Sequence, residues 1–262
     1  MEVHAHSHLA SGETHSKRKK WTHYLWEFLM LFLAVFCGFL AENFREHTIE
    51  HQKEKEYILS MIEDAKTDTA NIHTAISFNI KRIYRLDSLA KKCFSYIAKH
   101  NSDGDIYRLY FSCLRHPDFI TPTERTMMQL KNAGGMRLLR KRIAADSILQ
   151  YDDFAKKIIN QQAWYENMLK ELVNQGMPLF NLKYYPAIDL ATLRSISSSF
   201  DSAKLVVNQK TTIVELGNRS SFYKNVVVFY IRLLMEGEQH AVNLIQTLKK
   251  EYRLSDGTPL EE

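Results

Sequence analysis

Two patterns of apolar positions alternate along this chain. Between Trp21 and Ala41 hydrophobic residues run almost unbroken, with Thr22, His23 and Glu27 all near the first end. From Ile58 onward, apolar or small residues recur in steps of four and three: Ile58, Ile62, Ala65, Thr69, Ile72, Ile76, Asn79, Ile83, Leu86, Ala90, Cys93 and Ile97. The first pattern has no polar face. The second has one narrow seam, which is the heptad signature of a long helix packed on its neighbours.

The first pattern predicts a transmembrane helix over residues 21–41. About 21 residues at the α-helical rise span roughly 30 Å, the thickness of a bilayer's hydrocarbon core. Trp21, Tyr24 and Trp26 gather at one end, where amphipathic rings settle at a membrane interface. Lys17, Arg18, Lys19 and Lys20 precede the run, whereas Glu42, Arg45, Glu46 and Glu50 follow it. By the positive-inside rule, residues 1–20 form a cytoplasmic tail and the C-terminal domain is periplasmic, held on the inner (cytoplasmic) membrane. A cleaved signal peptide is disfavoured. Cleavage after Ala41 would place bulky Phe39 where a small residue is required, and Phe36 blocks a lipoprotein cut before Cys37.

The second pattern predicts an all-α fold: a long heptad-patterned helix rising from the membrane into an antiparallel helical bundle. Residues 42–57 are polar on every face and read as a juxtamembrane helical stalk. The bundle occupies 58–254, and 255–262 form a polar tail. Small or polar Ala65, Thr69, Asn79 and Ala90 in the seam favour packing within a bundle over a free dimeric coil. Asn101-Ser-Asp-Gly-Asp105 breaks the long helix, and a short helix over about 105–115 ends at His116-Pro117. Thr121-Pro122-Thr123-Glu124 reads as a capping box with proline at the first helical position, opening a helix that stops at Gly134-Gly135. A helix over about 138–175 follows, ended by Gly176 and Pro178. Pro186 opens a predicted helix to about 200, Thr211-Thr-Ile-Val214 suits an extended segment, and a last helix covers about 219–252.

Composition narrows the class without naming a function. With 262 residues, 45% hydrophobic and 25% charged, the chain is ordinary globular material, and nine glycines and five prolines are too few for a turn-rich β fold. The net charge of +5 is spread among interleaved acids and bases, so no nucleic acid is expected as a partner. Three cysteines make no disulfide scaffold; Cys37 lies in the apolar run, and Cys93 and Cys113 are either a bridge or two buried thiols.

Few residues carry candidate chemistry. Alternating His4, His6 and His8 form a weak metal-binding string or simply a polar tail. His47-Thr-Ile-Glu50-His51 spells the H-x-x-E-H string of inverted zinc peptidases. It sits on a solvated stalk with no third ligand in view, so a plain charged face is the competing reading. Asn101–Asp105 is not a calcium loop, because Leu114 stands where a bidentate Glu is needed. His23 and Glu27 share a helix face near the cytoplasmic interface, either as a snorkelling pair or as a contact to another transmembrane helix. No phosphate loop or nucleophile elbow is present, and no cofactor is expected.

The stretches MEVHAHSH and KKWTHYLWEFLMLFLAVFCGFLAENFREHTIEHQKEKEYILSMIEDAKTDTANI resemble a set of single-pass membrane proteins of unknown function common in Bacteroidetes-type bacteria. Glu27, Glu42-Asn43, Lys55-Glu56-Tyr57 and Asp64-Ala65-Lys66-Thr67-Asp68-Thr69 occupy the family's positions, with Ala65 departing from the usual Leu. FITPTERTMMQLKNAGGMRLLRKRIAADSILQYDD is similar to its second block. The resemblance implies the same topology and transfers no activity.

The resulting expectation is a non-enzymatic envelope scaffold that binds the bilayer and a protein partner or a second copy of itself. A ligand-sensing domain relaying through the transmembrane helix, and a metal-binding or metallopeptidase-like protein, are the alternatives.

Overall fold

The computed structural model describes residues 17–96, 103–114, 119–132, 134–185, 188–189, 192, 194–195, 200–206 and 209–254. The chain divides into two compact units, Met1–Lys53 and Glu54–Glu262.

The first unit is the N-terminal part of α1, a helix running from Lys17 to Ser95. It contains a stretch long and apolar enough to cross a membrane, and none of that window is covered by the rest of the chain. Phe28, Phe32 and Phe36, one turn apart, form a ladder of rings with centroids 6.4 and 5.8 Å apart.

The second unit is an all-α bundle of four legs running up, down, up and down. Its first leg is the remainder of α1, whose heptad positions Ile58, Ile62, Ala65, Ile72, Ile76, Asn79, Leu86, Ala90 and Cys93 are all buried. The bundle begins at Glu54 rather than Ile58, because Glu54 is already only 1% exposed. The second leg descends along α1 in pieces: α2 (Asp103–Cys113), an extended stretch through Thr123, and α3 (Arg125–Asn132). Its direction follows from Lys92–Asp105 at 2.9 Å, Arg85–Ser112 at 3.3 Å, and Thr123 and Thr126 meeting Asp68 and Asp64. Gly134, at φ +68°, then turns the chain into a 3₁₀ turn over Gly135–Leu138. The glycine pair is thus the tight turn its sequence suggests, and it supplies a left-handed conformation that other residues adopt at a cost.

The third leg is α4 (Arg142–Gly176), parallel to α1, as Asp68–Tyr151 and Asn79–Tyr165 show. After short 3₁₀ turns at Met177–Leu179 and Leu182–Tyr184, the last leg, α5 (Lys210–Tyr252), descends antiparallel to both. Lys224–Asp87, Tyr252–Glu54 and the Tyr165–Tyr223 ring contact fix its register.

Three sequence expectations fail. The helix expected over 186–200 is not formed where the chain is described; Ile188–Asp189 pairs antiparallel with Arg194–Ser195 as a two-residue ladder, β1 with β2. Thr211–Val214 is not extended but opens α5, because burying Ile213 and Leu216 outweighs the weak β preference of Thr and Val. The capping box is also corrected. Helix α3 starts at Arg125, and its caps come from α1 rather than from its own Thr and Glu.

Candidate functional site

Along α1 a second stripe runs beside the apolar seam, repeating every seven residues: Glu54, Met61, Asp68, Ala75, Arg82 and Leu89, all buried. With Asp64 and Asn79, 2% and 1% exposed, it places polar groups inside the core. Buried polar groups persist only when hydrogen-bonded, so their partners define the arrangement.

The densest cluster sits where the core splits into two hydrophobic bodies, one centred on Ile58, Leu130, Ile148 and Leu244, the other on Ile72, Tyr107, Tyr165 and Leu234. Asp68 accepts from the Thr123 amide and hydroxyl, both at 2.8 Å, and from the Tyr151 hydroxyl at 2.6 Å. One turn earlier, Asp64 accepts from the Thr126 amide at 3.1 Å, from the Thr126 hydroxyl, and from Arg125 at 2.6 Å. The Thr126 and Ser60 hydroxyls are 2.7 Å apart. The two carboxylates therefore cap the N-terminus of α3 from outside, where both the free amides and the helix dipole favour an anion. Burial, reinforced by the charge of Asp68, pushes the Tyr151 phenol well above its ordinary range and keeps it a donor.

A second polar layer lies further along. Tyr165 donates to Asn79 at 2.8 Å and accepts from Arg82 at 2.8 Å, while Gln162 grips both the amide and the carbonyl of Ile120 at 2.9 and 3.0 Å. The extended part of the second leg is thus hydrogen-bonded to α4 as a strand would be to its neighbour.

This arrangement holds segments of the bundle together. Beside Tyr151 and Thr123 the structure leaves a cavity of about 20 Å³, room for about one water molecule. A larger, open groove of about 410 Å³ lies elsewhere on α4, between Phe119 and Leu169, Val173 and Asn174, with the Glu166–Lys170 pair (3.2 Å) on its rim.

The residues singled out in the sequence fall as follows. His4, His6 and His8 lie outside the described residues. His47 is exposed with Nδ1 3.9 Å from Glu50, and His51 is exposed one turn on. Among the described residues no group of three or more His, Cys, Asp or Glu is placed to hold a metal ion. His23 and Glu27 approach to 3.2 Å and are both exposed on α1. Cys93 and Cys113 are free, fully buried thiols of the same hydrophobic body. Burial, with each other's charge adding for Cys93, pushes both up to about 12, so neither is a ready nucleophile.

Sequence reasoning missed the polar stripe. Its signal was available, since Glu54, Asp68 and Arg82 stand at the same heptad position as Met61, Ala75 and Leu89. The polar contacts join α1 to the second and third legs, with Asp64 and Asp68 meeting Thr123, Arg125, Thr126 and Tyr151. Comparisons with protein-family models, curated proteins and solved structures return no match.

Proposed function

We propose that this chain is a single-pass anchor of the cytoplasmic membrane carrying a non-enzymatic helical domain on the periplasmic side, where it scaffolds or binds a protein partner. The observation behind this reading is the uncovered apolar stretch at the head of the same helix that founds the bundle. An interior given over to hydrogen-bonded clasps supports a binding rather than a catalytic role. Orientation rests on the basic residues at 17–20 against the acidic-leaning exit at 42–50. A reporter active only outside the cytoplasm, fused after Glu262, tests it: activity is expected there and none when the reporter precedes Lys17. The reverse pattern places the bundle in the cytoplasm and ends the proposal as stated. Co-purification in mild detergent tests the partner, since a chain recovered repeatedly alone and monomeric contradicts scaffolding.

The groove lined by Phe119, Leu169 and Val173 supports ligand sensing as a second reading, because an apolar floor with one ion pair on the rim suits a small amphipathic molecule. In that reading the signal would pass to a partner's helix through His23 and Glu27.

A further inference from the structure

Where α4 passes the extended part of the second leg, its face is incompletely covered. That leg is helical in α2 and α3 but extended over 119–124. An extended chain is slimmer than a helix, whose diameter with side chains is about 10–12 Å. The open groove of about 410 Å³ lined by Phe119 and α4 lies at this place. Its volume falls among those of small-molecule sites, about 300–1,000 Å³.

The walls of the groove are held from behind. Gln162 bonds both backbone polar groups of Ile120, which sets the position of Phe119. The Phe119 ring in turn stands edge-on to Tyr165, with centroids 5.4 Å apart. Further along α4, Tyr110 donates to the Val173 carbonyl at 3.0 Å. A site fixed in this way loses little freedom when a ligand arrives.

The chemistry of the groove divides along the helix. Leu169 and Val173, one turn apart, and Phe119 with them present apolar surface that is only half-buried. Glu166, Lys170 and Asn174, each one turn from the next, form a polar margin beside it. Glu166 Oε1 and Lys170 Nζ stand 3.2 Å apart, and both side chains are exposed. Their contact engages one ammonium hydrogen and one carboxylate oxygen, so each group keeps capacity for a second charge-assisted bond. As a pair they carry no net charge. A ligand with a lone carboxylate meets the repulsion of Glu166, and one with a lone ammonium meets that of Lys170. A ligand carrying both charges meets neither penalty.

We infer that this groove binds zwitterionic α-amino acids with a large apolar side chain. The ligand's ammonium lies on Glu166, its carboxylate on Lys170, and its side chain on Phe119, Leu169 and Val173. Both charges of an α-amino acid are borne at one carbon, so their spacing matches that of an ion pair in contact, and the four charges alternate in sign around a ring. Asn174, one turn beyond Lys170, offers an amide to the same carboxylate. The inference rests on the ligand-sensing reading above and narrows it to one class of molecule.

The test is methyl NMR on the full chain in phosphatidylcholine nanodiscs, labelled at Leu and Val and titrated with L-phenylalanine, phenylacetate, phenethylamine and glycine. The Leu169 and Val173 signals are expected to shift saturably with L-phenylalanine, at a Kd on the order of a millimolar, as an open site for a small ligand allows. Each of the other three, lacking one charge or the apolar part, should bind at least about tenfold more weakly. Glu166→Gln and Lys170→Met should each weaken phenylalanine binding by about tenfold. Unmoved signals from buried Leu234 and Leu244 report that both variants are folded. Phenylacetate or phenethylamine binding as tightly as phenylalanine overturns the proposal, because one charge then suffices. Equal binding of glycine overturns it by removing the apolar floor, and shifts that never saturate overturn it outright. Saturable phenylalanine binding that leaves partner recovery in mild detergent unchanged upholds the site and ends the sensing reading, so the two fail separately.

Discussion

The hydroxyl of Tyr151 on α4 donates to Asp68 Oδ2 on α1 at 2.6 Å, while the other oxygen of the same carboxylate takes the amide and hydroxyl of Thr123. One side chain thereby ties three of the four legs together. Because Asp68 is only 2% exposed, water cannot readily replace a donor that is removed.

Tyr151→Phe should therefore cost about 1–3 kcal/mol, the penalty for leaving a buried acceptor short of a partner. Asp68→Asn should cost a similar amount. The double variant should be less destabilised than the sum, because both substitutions break the same bond. Urea titrations of the four proteins measure this. Strict additivity would show that the two residues act independently.

Packing at the far end of α4 gives a second prediction. A Cβ on Gly176 would stand 2.2 Å from the Tyr110 ring, which is stacked on Phe180 at 4.3 Å and anchored to the Val173 carbonyl at 3.0 Å. Gly176→Ala should destabilise by roughly 1–3 kcal/mol through overpacking, despite alanine's better helix propensity. Gly38→Ala, with nothing within 4 Å, should leave the bundle's melting temperature unchanged. Thermal unfolding of the two variants side by side checks the contrast.

The buried thiols give a pH dependence. Cys93 and Cys113 each rise from 9.0 to about 12 on folding, so the folded state disfavours their thiolates. For such groups the stabilising contribution is fully present below pH 9 and is lost as pH climbs toward 12. Cys93→Ala/Cys113→Ala should be destabilised at pH 8, with the gap to the parent narrowing by about 1–3 kcal/mol at pH 10. The buried tyrosines are common to both proteins and cancel from the difference. A gap independent of pH would mean the thiols titrate normally in the folded chain.

Metal content gives a fourth prediction. Purified full-length protein, dialysed against buffer without chelator, should retain less than about a tenth of an equivalent of zinc, a value His47→Ala and His51→Ala leave unchanged; two His and one Glu on an exposed helix face fall short of a closed or catalytic zinc site. Elemental analysis decides it, and stoichiometric zinc lost on either substitution would revive the peptidase reading.

The long helix, the all-α fold and the apolar stretch were legible because period and uninterrupted hydrophobicity are properties of the local sequence. From Ile58 to Cys93 the seam is buried where the heptad placed it, except at half-buried Thr69 and Ile83. The polar stripe was not legible, since Asp64, Asp68 and Arg82 look like the solvated face of a helix until Thr126, Tyr151 and Tyr165 are seen to cover them. Those partners lie 62 to 83 residues away in sequence. The start of α3 was misplaced for the same reason, as its cap is supplied by another helix. Thr211–Val214 was misassigned because tertiary burial overrode local preference.

The bond from Tyr252 to Glu54 spans 198 residues, so the first and last legs of the bundle are the most distant in the chain. During synthesis at about 5–20 residues per second, α1 emerges on the order of ten seconds before the residues that cover its α5 side exist. For that interval Ile58, Ile72, Leu86 and their neighbours are an uncovered apolar stripe next to a segment already suited to a bilayer. The order of the legs thus creates a nascent chain whose greatest exposure to misassociation comes early, and a ribosome-bound intermediate truncated before Lys210 should engage holding chaperones that the completed chain does not.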